Sequence, residues 1–248
     1  MRSFLDLTYG KSADPAQKLD IYLPDFGNDF PIMVYFHGGG LVGGDKGVLN
    51  VAESLIKRGI ALVSANYRMY PTAKYPEFIE DVAEAVAFVF KNISKYCNPC
   101  GIYVGGSSAG GYLSMMLCFD KRWLSKYNIS PMDISGFIHD AGQPTAHFNV
   151  LKYNEIDPKR VIIDETAPLY HIGIDENYPK MLFIVSNNDM ENRYEQTMLT
   201  VSTLRHFGHS GDKVNLIVKN GSHCQYINTC DEKGENDFAK MIADFIVV

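Results

Sequence analysis

Residues 105–111 read Gly105-Gly106-Ser107-Ser108-Ala109-Gly110-Gly111, between the apolar run Ile102-Tyr103-Val104 and the helix-compatible stretch Tyr112-Leu113-Ser114-Met115-Met116-Leu117. Within it, Gly106-Ser107-Ser108-Ala109-Gly110 fits G-x-S-x-G in a strand–turn–helix setting, which presents a serine on a sharp turn at the end of a sheet. Side chains two residues before and two after that serine would collide, which explains glycine at both places. The serine is expected in a strained backbone conformation with its hydroxyl pointing outward. Ser108 is therefore the candidate nucleophile. Its neighbour Ser107 has glycine at only one of the two flanking distances, with Ala109 at the other.

Working outward, short apolar runs alternate with amphipathic stretches. Strands are expected at 19–24, 32–36, 60–65, 101–105, 134–139, 181–186 and 214–218. Helices are expected at 47–58, 77–95, 109–119, 191–207 and 235–246. This order predicts an α/β fold, a mostly parallel central sheet with helices on both faces. Active groups in such sheets gather beyond the carboxyl ends of the strands. The whole chain, 1–248, reads as one domain, with 141–179, rich in Pro, His, Tyr and Asp, as an inserted flap.

A serine nucleophile needs a base, an acid that orients the base, and donors for the developing oxyanion. With this turn, the partners follow in the order serine, acid, histidine. Asp189 lies three residues past the strand 181–186, and His223 lies in the loop after the last strand; these complete the candidate triad. Glu191 opens a helix and reads as a dipole partner. Asp164, Asp175 and Asp212 are further from strand ends, His206 and His209 precede the last strand, and His139-Asp140 precedes the acid strand. His37-Gly38-Gly39-Gly40 follows the strand 32–36 and supplies backbone N–H groups. Gly39, Gly40 and Ala109 are the expected oxyanion donors. His37 and Asp45-Lys46 read as loop supports. The glycine run lacks the Gly-Lys-Ser/Thr of a phosphate loop.

Composition narrows the alternatives. The 248 residues are 46% hydrophobic and 21% charged, ordinary for a globular protein, and the formal charge is −6 without a Lys/Arg run. That argues against nucleic-acid and anionic-membrane partners. No stretch approaches the length of a membrane span, and the amino terminus does not read as a leader, so a cytoplasmic location is expected. Five cysteines at irregular spacing make a poor disulfide framework. Cys97-Asn98-Pro99-Cys100 has C-x-x-C spacing but no second Cys/His pair nearby, and reads as two ordinary thiols before a strand.

Taken together, Leu19-Asp20-Ile21-Tyr22-Leu23-Pro24, His37-Gly38-Gly39-Gly40, Gly44-Asp45-Lys46, Asn66-Tyr67-Arg68, Tyr75-Pro76, Asp81, the serine turn, Asp189 and His223 resemble the α/β-hydrolases of the hormone-sensitive-lipase-like branch. The likeness is greatest to compact bacterial bifunctional feruloyl and acetyl xylan esterases. The resemblance implies structural roles for Tyr67-Arg68 and Asp81. It also has two departures: Ser107 stands where the family commonly has aspartate, and Cys224 where it has glycine. The expectation is a serine carboxylesterase acting on short acyl esters, with an acylated sugar among the implied substrates and no metal or organic cofactor. Amide cleavage of the arylformamidase or peptidase kind, and a non-catalytic binding role, are the alternatives. Without large amino-terminal cap helices the site should be shallow, covered in part by the flap, where Gln143, Thr145, His147, Phe148 and Tyr153 are candidate substrate contacts.

Overall fold

Among the described residues eight strands form one sheet: β1 (Arg2–Thr8), β2 (Lys18–Leu23), β3 (Asp29–Phe36), β4 (Ala61–Ala65), β5 (Asn98–Ser107), β6 (Gly136–Asp140), β7 (Met181–Ser186) and β8 (Val214–Lys219). The computed structural model of the chain describes residues 1–12, 14–175, 177–209 and 211–247. The spatial order of the strands is β1-β2-β4-β3-β5-β6-β7-β8. β1 pairs antiparallel with β2 and β2 antiparallel with β4, whereas every pairing from β4 to β8 is parallel. The carboxyl ends of β3, β5, β6, β7 and β8 therefore lie on one side of the sheet.

The strands alternate between two cores, as a period of two requires. Met33 and Tyr35 of β3 enter one core, with α1 (Leu49–Lys57). Ile32, Val34 and Phe36 enter the other, with α2 (Glu77–Asn92) and α3 (Ala109–Phe119). Two short helices, α4 (Arg122–Ser125) and α5 (Phe148–Tyr153), lie in the connections that follow α3 and β6. Part of α6 (Arg193–His206) joins the α2–α3 core, and α7 (Asp237–Val247) closes the core that holds α1. α3 is buried along its whole length, and its run Tyr112–Leu117 fits a helix enclosed on every side. No helix among the described residues is long and apolar enough to cross a membrane.

Four readings change. β1 is a strand that the pattern misses: its residues are almost all exposed, and Asp6 interrupts the apolar alternation. β5 begins at Asn98, so Cys100 lies within a strand and not in the turn before it; all five cysteines are unpaired. α6 starts at Arg193, leaving Glu191 in the preceding loop. Finally, 141–179 is anchored: Gln143, Thr145, Ala146 and His147 are buried, and Leu169, Ile172 and Tyr178 join the α2–α3 core. The Tyr112 hydroxyl donates to the Thr166 carbonyl at 2.8 Å, tying this segment to α3.

Candidate active site

Ser108 sits between β5 and α3 with φ +55° and ψ −111°, a conformation non-glycine residues rarely adopt. The flanking glycines permit it. A Cβ on Gly106 would lie 2.6 Å from the Gly110 carbonyl carbon, and one on Gly110 would lie 1.9 Å from the Phe36 carbonyl oxygen. The turn is thus pressed against the end of β3, which brings Ser108 beside the glycine loop that follows that strand.

The loop after β8 delivers His223, whose Nε2 lies 2.9 Å from Ser108 Oγ. Its Nδ1 lies 2.5 Å from Asp189 Oδ1, three residues beyond β7. Asp189 also accepts from the Met190 N–H at 2.7 Å and the Ser186 N–H at 3.3 Å. Burial pushes its carboxyl up, but the His223 hydrogen bond and charge and these two N–H groups outweigh burial and hold it below the usual carboxylate value. That environment keeps the group ionised and fixed against the imidazole.

The third segment is His37-Gly38-Gly39-Gly40. Gly39 (φ +108°) turns the chain back so that the N–H groups of Val42 and Gly43 both reach its carbonyl at 3.1 Å; a Cβ there would lie 2.0 Å from the Gly43 carbonyl oxygen. Asn149 Nδ2 donates to the Gly40 carbonyl at 2.6 Å. The N–H groups of Gly39, Gly40 and Ala109 donate to no other described residue. Ala109 also opens α3, whose dipole favours negative charge there.

The supports expected from sequence act as such. His37 stacks on Tyr67 at 4.5 Å, its Nδ1 is 2.7 Å from the Gly38 carbonyl, and the Tyr67 hydroxyl donates to the His37 carbonyl at 2.8 Å. Burial lowers the His37 pKa. Lys46 Nζ pairs with Asp20 at 2.9 Å and Asp6 at 3.1 Å. Asp45 accepts from Asn66 Nδ2 at 3.0 Å. Arg68 binds the buried Asp81 through Nη2 at 2.7 Å and Nε at 2.9 Å.

The rival groups are occupied elsewhere. His139 is buried in β6 against Ser114 Oγ at 2.9 Å, and burial drives its pKa down to about 3. Asp175 pairs with Lys121 at 2.5 Å, and Asp164 accepts from Thr166. His209 packs on Tyr178. No group of three or more His, Cys, Asp or Glu among the described residues is placed to hold a metal ion.

A cleft of about 620 Å³ opens over Ser108 and His223, walled by Tyr35, Val42, Phe148, Met190 and Ile227. Of the five flap residues expected to meet substrate, Phe148 lines this cleft. Gln143, Thr145 and His147 are buried, Gln143 donating to Thr145 at 3.2 Å, and Tyr153 stacks on Tyr70 at 3.9 Å.

Asp140, set aside in sequence because it precedes the acid strand, has a role beside the triad. This fully buried carboxylate ends β6 in register with Ser107 and accepts from the Tyr226 hydroxyl. Cys224 Sγ lies 3.8 Å from it. Burial raises its pKa to about 7, against the opposing pull of Ser107, Tyr226 and His223. Cys224 itself has φ +53°, which accounts for the glycine expected at that position by family resemblance. A carboxylate one strand over, beside Ser107, also suits the absence of aspartate at position 107.

Residues 19–132 match the family model BD-FAE. The fold matches a truncated carbohydrate esterase from gut microbiota with a TM-score of 0.77 and 20% identity, covering 100% of this chain and 95% of that one. The chain has the α/β-hydrolase fold, and over residues 19–132, a little under half of its length, it resembles the hormone-sensitive-lipase-like branch. Kynurenine formamidase of Danio rerio is 30% identical over 141 residues, 55% of this chain and 45% of that relative. Carboxylic ester hydrolase LipN of Mycobacterium tuberculosis is 32% identical over 117 residues, 46% of this chain and 31% of LipN. The chain thus spans less than half the length of these two relatives.

Proposed function

We propose that the chain is a serine carboxylesterase for short acyl esters, acetyl or feruloyl groups on carbohydrate among them. The observation that carries this reading is the relay from Asp189 through His223 to Ser108, at 2.5 and 2.9 Å, in a cleft beside three uncommitted backbone N–H groups. In this mechanism His223 Nε2 takes the Ser108 proton as Oγ attacks the ester carbonyl. The N–H groups of Gly39, Gly40 and Ala109 receive the oxyanion. His223 then protonates the leaving alcohol, and water repeats the sequence on the acyl-enzyme. The likeness to a carbohydrate esterase fold and to LipN supports the ester class. Five unpaired cysteines fit the cytoplasmic setting this reading assigns.

The test is labelling by a fluorophosphonate together with p-nitrophenyl acetate hydrolysis. Both should be present in the native chain and lost in Ser108→Ala; activity that survives the substitution refutes the assignment. Amide cleavage on the same residues is the second reading, favoured by the Danio rerio relative. Rates on acetyl esters and N-formylkynurenine, measured side by side, separate the two.

A further inference from the structure

Next to the Ser108 cleft lies a second cleft of about 330 Å³, and the two share Phe148 and Met190 as lining. Phe148 and Met190 stand between the two clefts, so a substrate seated over Ser108 would have to extend past these side chains to reach the second one. Its charged walls are Lys159, Arg160 and Arg193 against the single carboxylate Glu191. Three cations facing one anion is unexpected in a chain of net charge −6. Among the described residues none of the three is within ion-pair distance of a carboxylate.

Arg193 is the informative member. It is 4% exposed, and its Nη groups donate to the Ala141 carbonyl and, at 3.4 Å, to Gln143 Oε1. Both acceptors are neutral, so no carboxylate touches this buried guanidinium, and the more distant Asp189 charge offsets only part of the cost of its burial. Burying an unpaired charge is costly, and an anion arriving in the cleft offsets that cost. Guanidinium groups suit a carboxylate because the planar fork matches two oxygens. Lys159 and Arg160 are exposed at the rim and attract such a group from solution.

We infer that this second cleft binds a carboxylate carried by the substrate, so that the ester cleaved at Ser108 is an acidic one. The inference rests on the esterase reading and narrows its substrate class. The carboxylate can come from the acyl part or the alcohol part, with the same chemistry in the cleft.

The experiment compares p-nitrophenyl hemisuccinate with p-nitrophenyl butyrate for an acid on the acyl side. It compares 4-acetoxybenzoate with phenyl acetate for an acid on the alcohol side. In the native chain kcat/KM for at least one acidic ester should exceed that of its neutral counterpart severalfold, and the pair that shows it names the side. Lys159→Ala combined with Arg160→Ala should lower that ratio roughly three- to tenfold, through KM, with neutral esters unchanged. Glu191→Gln should raise it, and about 0.5 M salt should reduce it. Ratios near one, unmoved in all three proteins, overturn the inference. If no ester is hydrolysed at all, the esterase reading fails separately. Titration of Ser108→Ala with succinate then reads the cleft directly: binding weakened by the Lys159/Arg160 substitutions sustains the inference, and equal binding overturns it.

Discussion

Tyr226, three residues beyond His223, donates its hydroxyl hydrogen bond to the buried carboxylate of Asp140 at the end of β6. The loop that carries His223 is thereby fastened to the strand beside the serine turn. Asp140 has its pKa raised by burial from 3.8 to about 7. Between those values the folded chain holds a proton that the unfolded chain has released, so stability falls as pH rises across this window. Asp189 acts oppositely: its carboxyl is lowered, so its contribution is present above 3.8 and lost as pH falls below it. Asp140→Asn keeps an oxygen acceptor for Tyr226 and removes the titration. Thermal melts from pH 4 to pH 7 should show a decline in the native chain that is flattened in this variant; parallel declines would remove Asp140 as the cause.

Asp189→Asn tests the orienting role. The amide retains an acceptor but no charge, so it neither stabilises the imidazolium nor enforces the tautomer in which Nδ1–H donates. A fall in kcat on the order of 10⁴ with little change in KM is expected. A drop of less than tenfold would mean that the 2.5 Å contact is structural only.

Much of this site is legible in sequence because its signals are local. The serine turn is written in seven consecutive residues, and α3 and β7 fall on the residues that periodicity assigns, Ala109–Phe119 and Met181–Ser186. Asp189 and His223 follow from strand order alone. Asp140 is different. Its burial and raised pKa arise where β5, β6 and the His223 loop converge, and nothing adjacent to it in sequence marks that meeting. Arg193 is hidden for the same reason: a helix-opening arginine reads as solvated until Ala141 and Gln143 close over it. β1 escapes because an exposed edge strand has no apolar alternation to display.

Away from the cleft, the Arg68–Asp81 contact holds the segment after β4 to α2. Asp81 is 1% exposed and also accepts from Gln17 Nε2 at 2.7 Å and the Arg68 N–H at 2.9 Å. Asp81→Ala strands these donors and leaves the guanidinium unpaired from it. Because Arg68 is 22% exposed and solvent can recover part of the loss, about 2–3 kcal/mol of destabilisation is expected, below the figure for a fully buried pair. Urea denaturation measures it; a change under about 0.5 kcal/mol would show that the contact contributes little.

Gly110→Ala probes the serine turn itself. The added methyl carbon would stand 1.9 Å from the Phe36 carbonyl oxygen and 2.9 Å from that of His37. Both are backbone atoms, so no side-chain rotation relieves the overlap; either β3 or the start of α3 must move. β3 leads directly into the Gly39–Gly40 loop, and α3 begins at Ala109, so either movement separates the serine hydroxyl from the N–H donors. The expected result is destabilisation of about 1–3 kcal/mol, with kcat falling by more than the loss of folded protein explains. Gly111→Ala is the comparison, since its Cβ would meet the Asp140 carbonyl oxygen at 2.5 Å and press on β6, away from the glycine loop. Gly110→Ala should therefore cost more activity per unit of stability than Gly111→Ala. Equal ratios of kcat loss to urea-midpoint shift in the two variants would show that the turn is only a packing element.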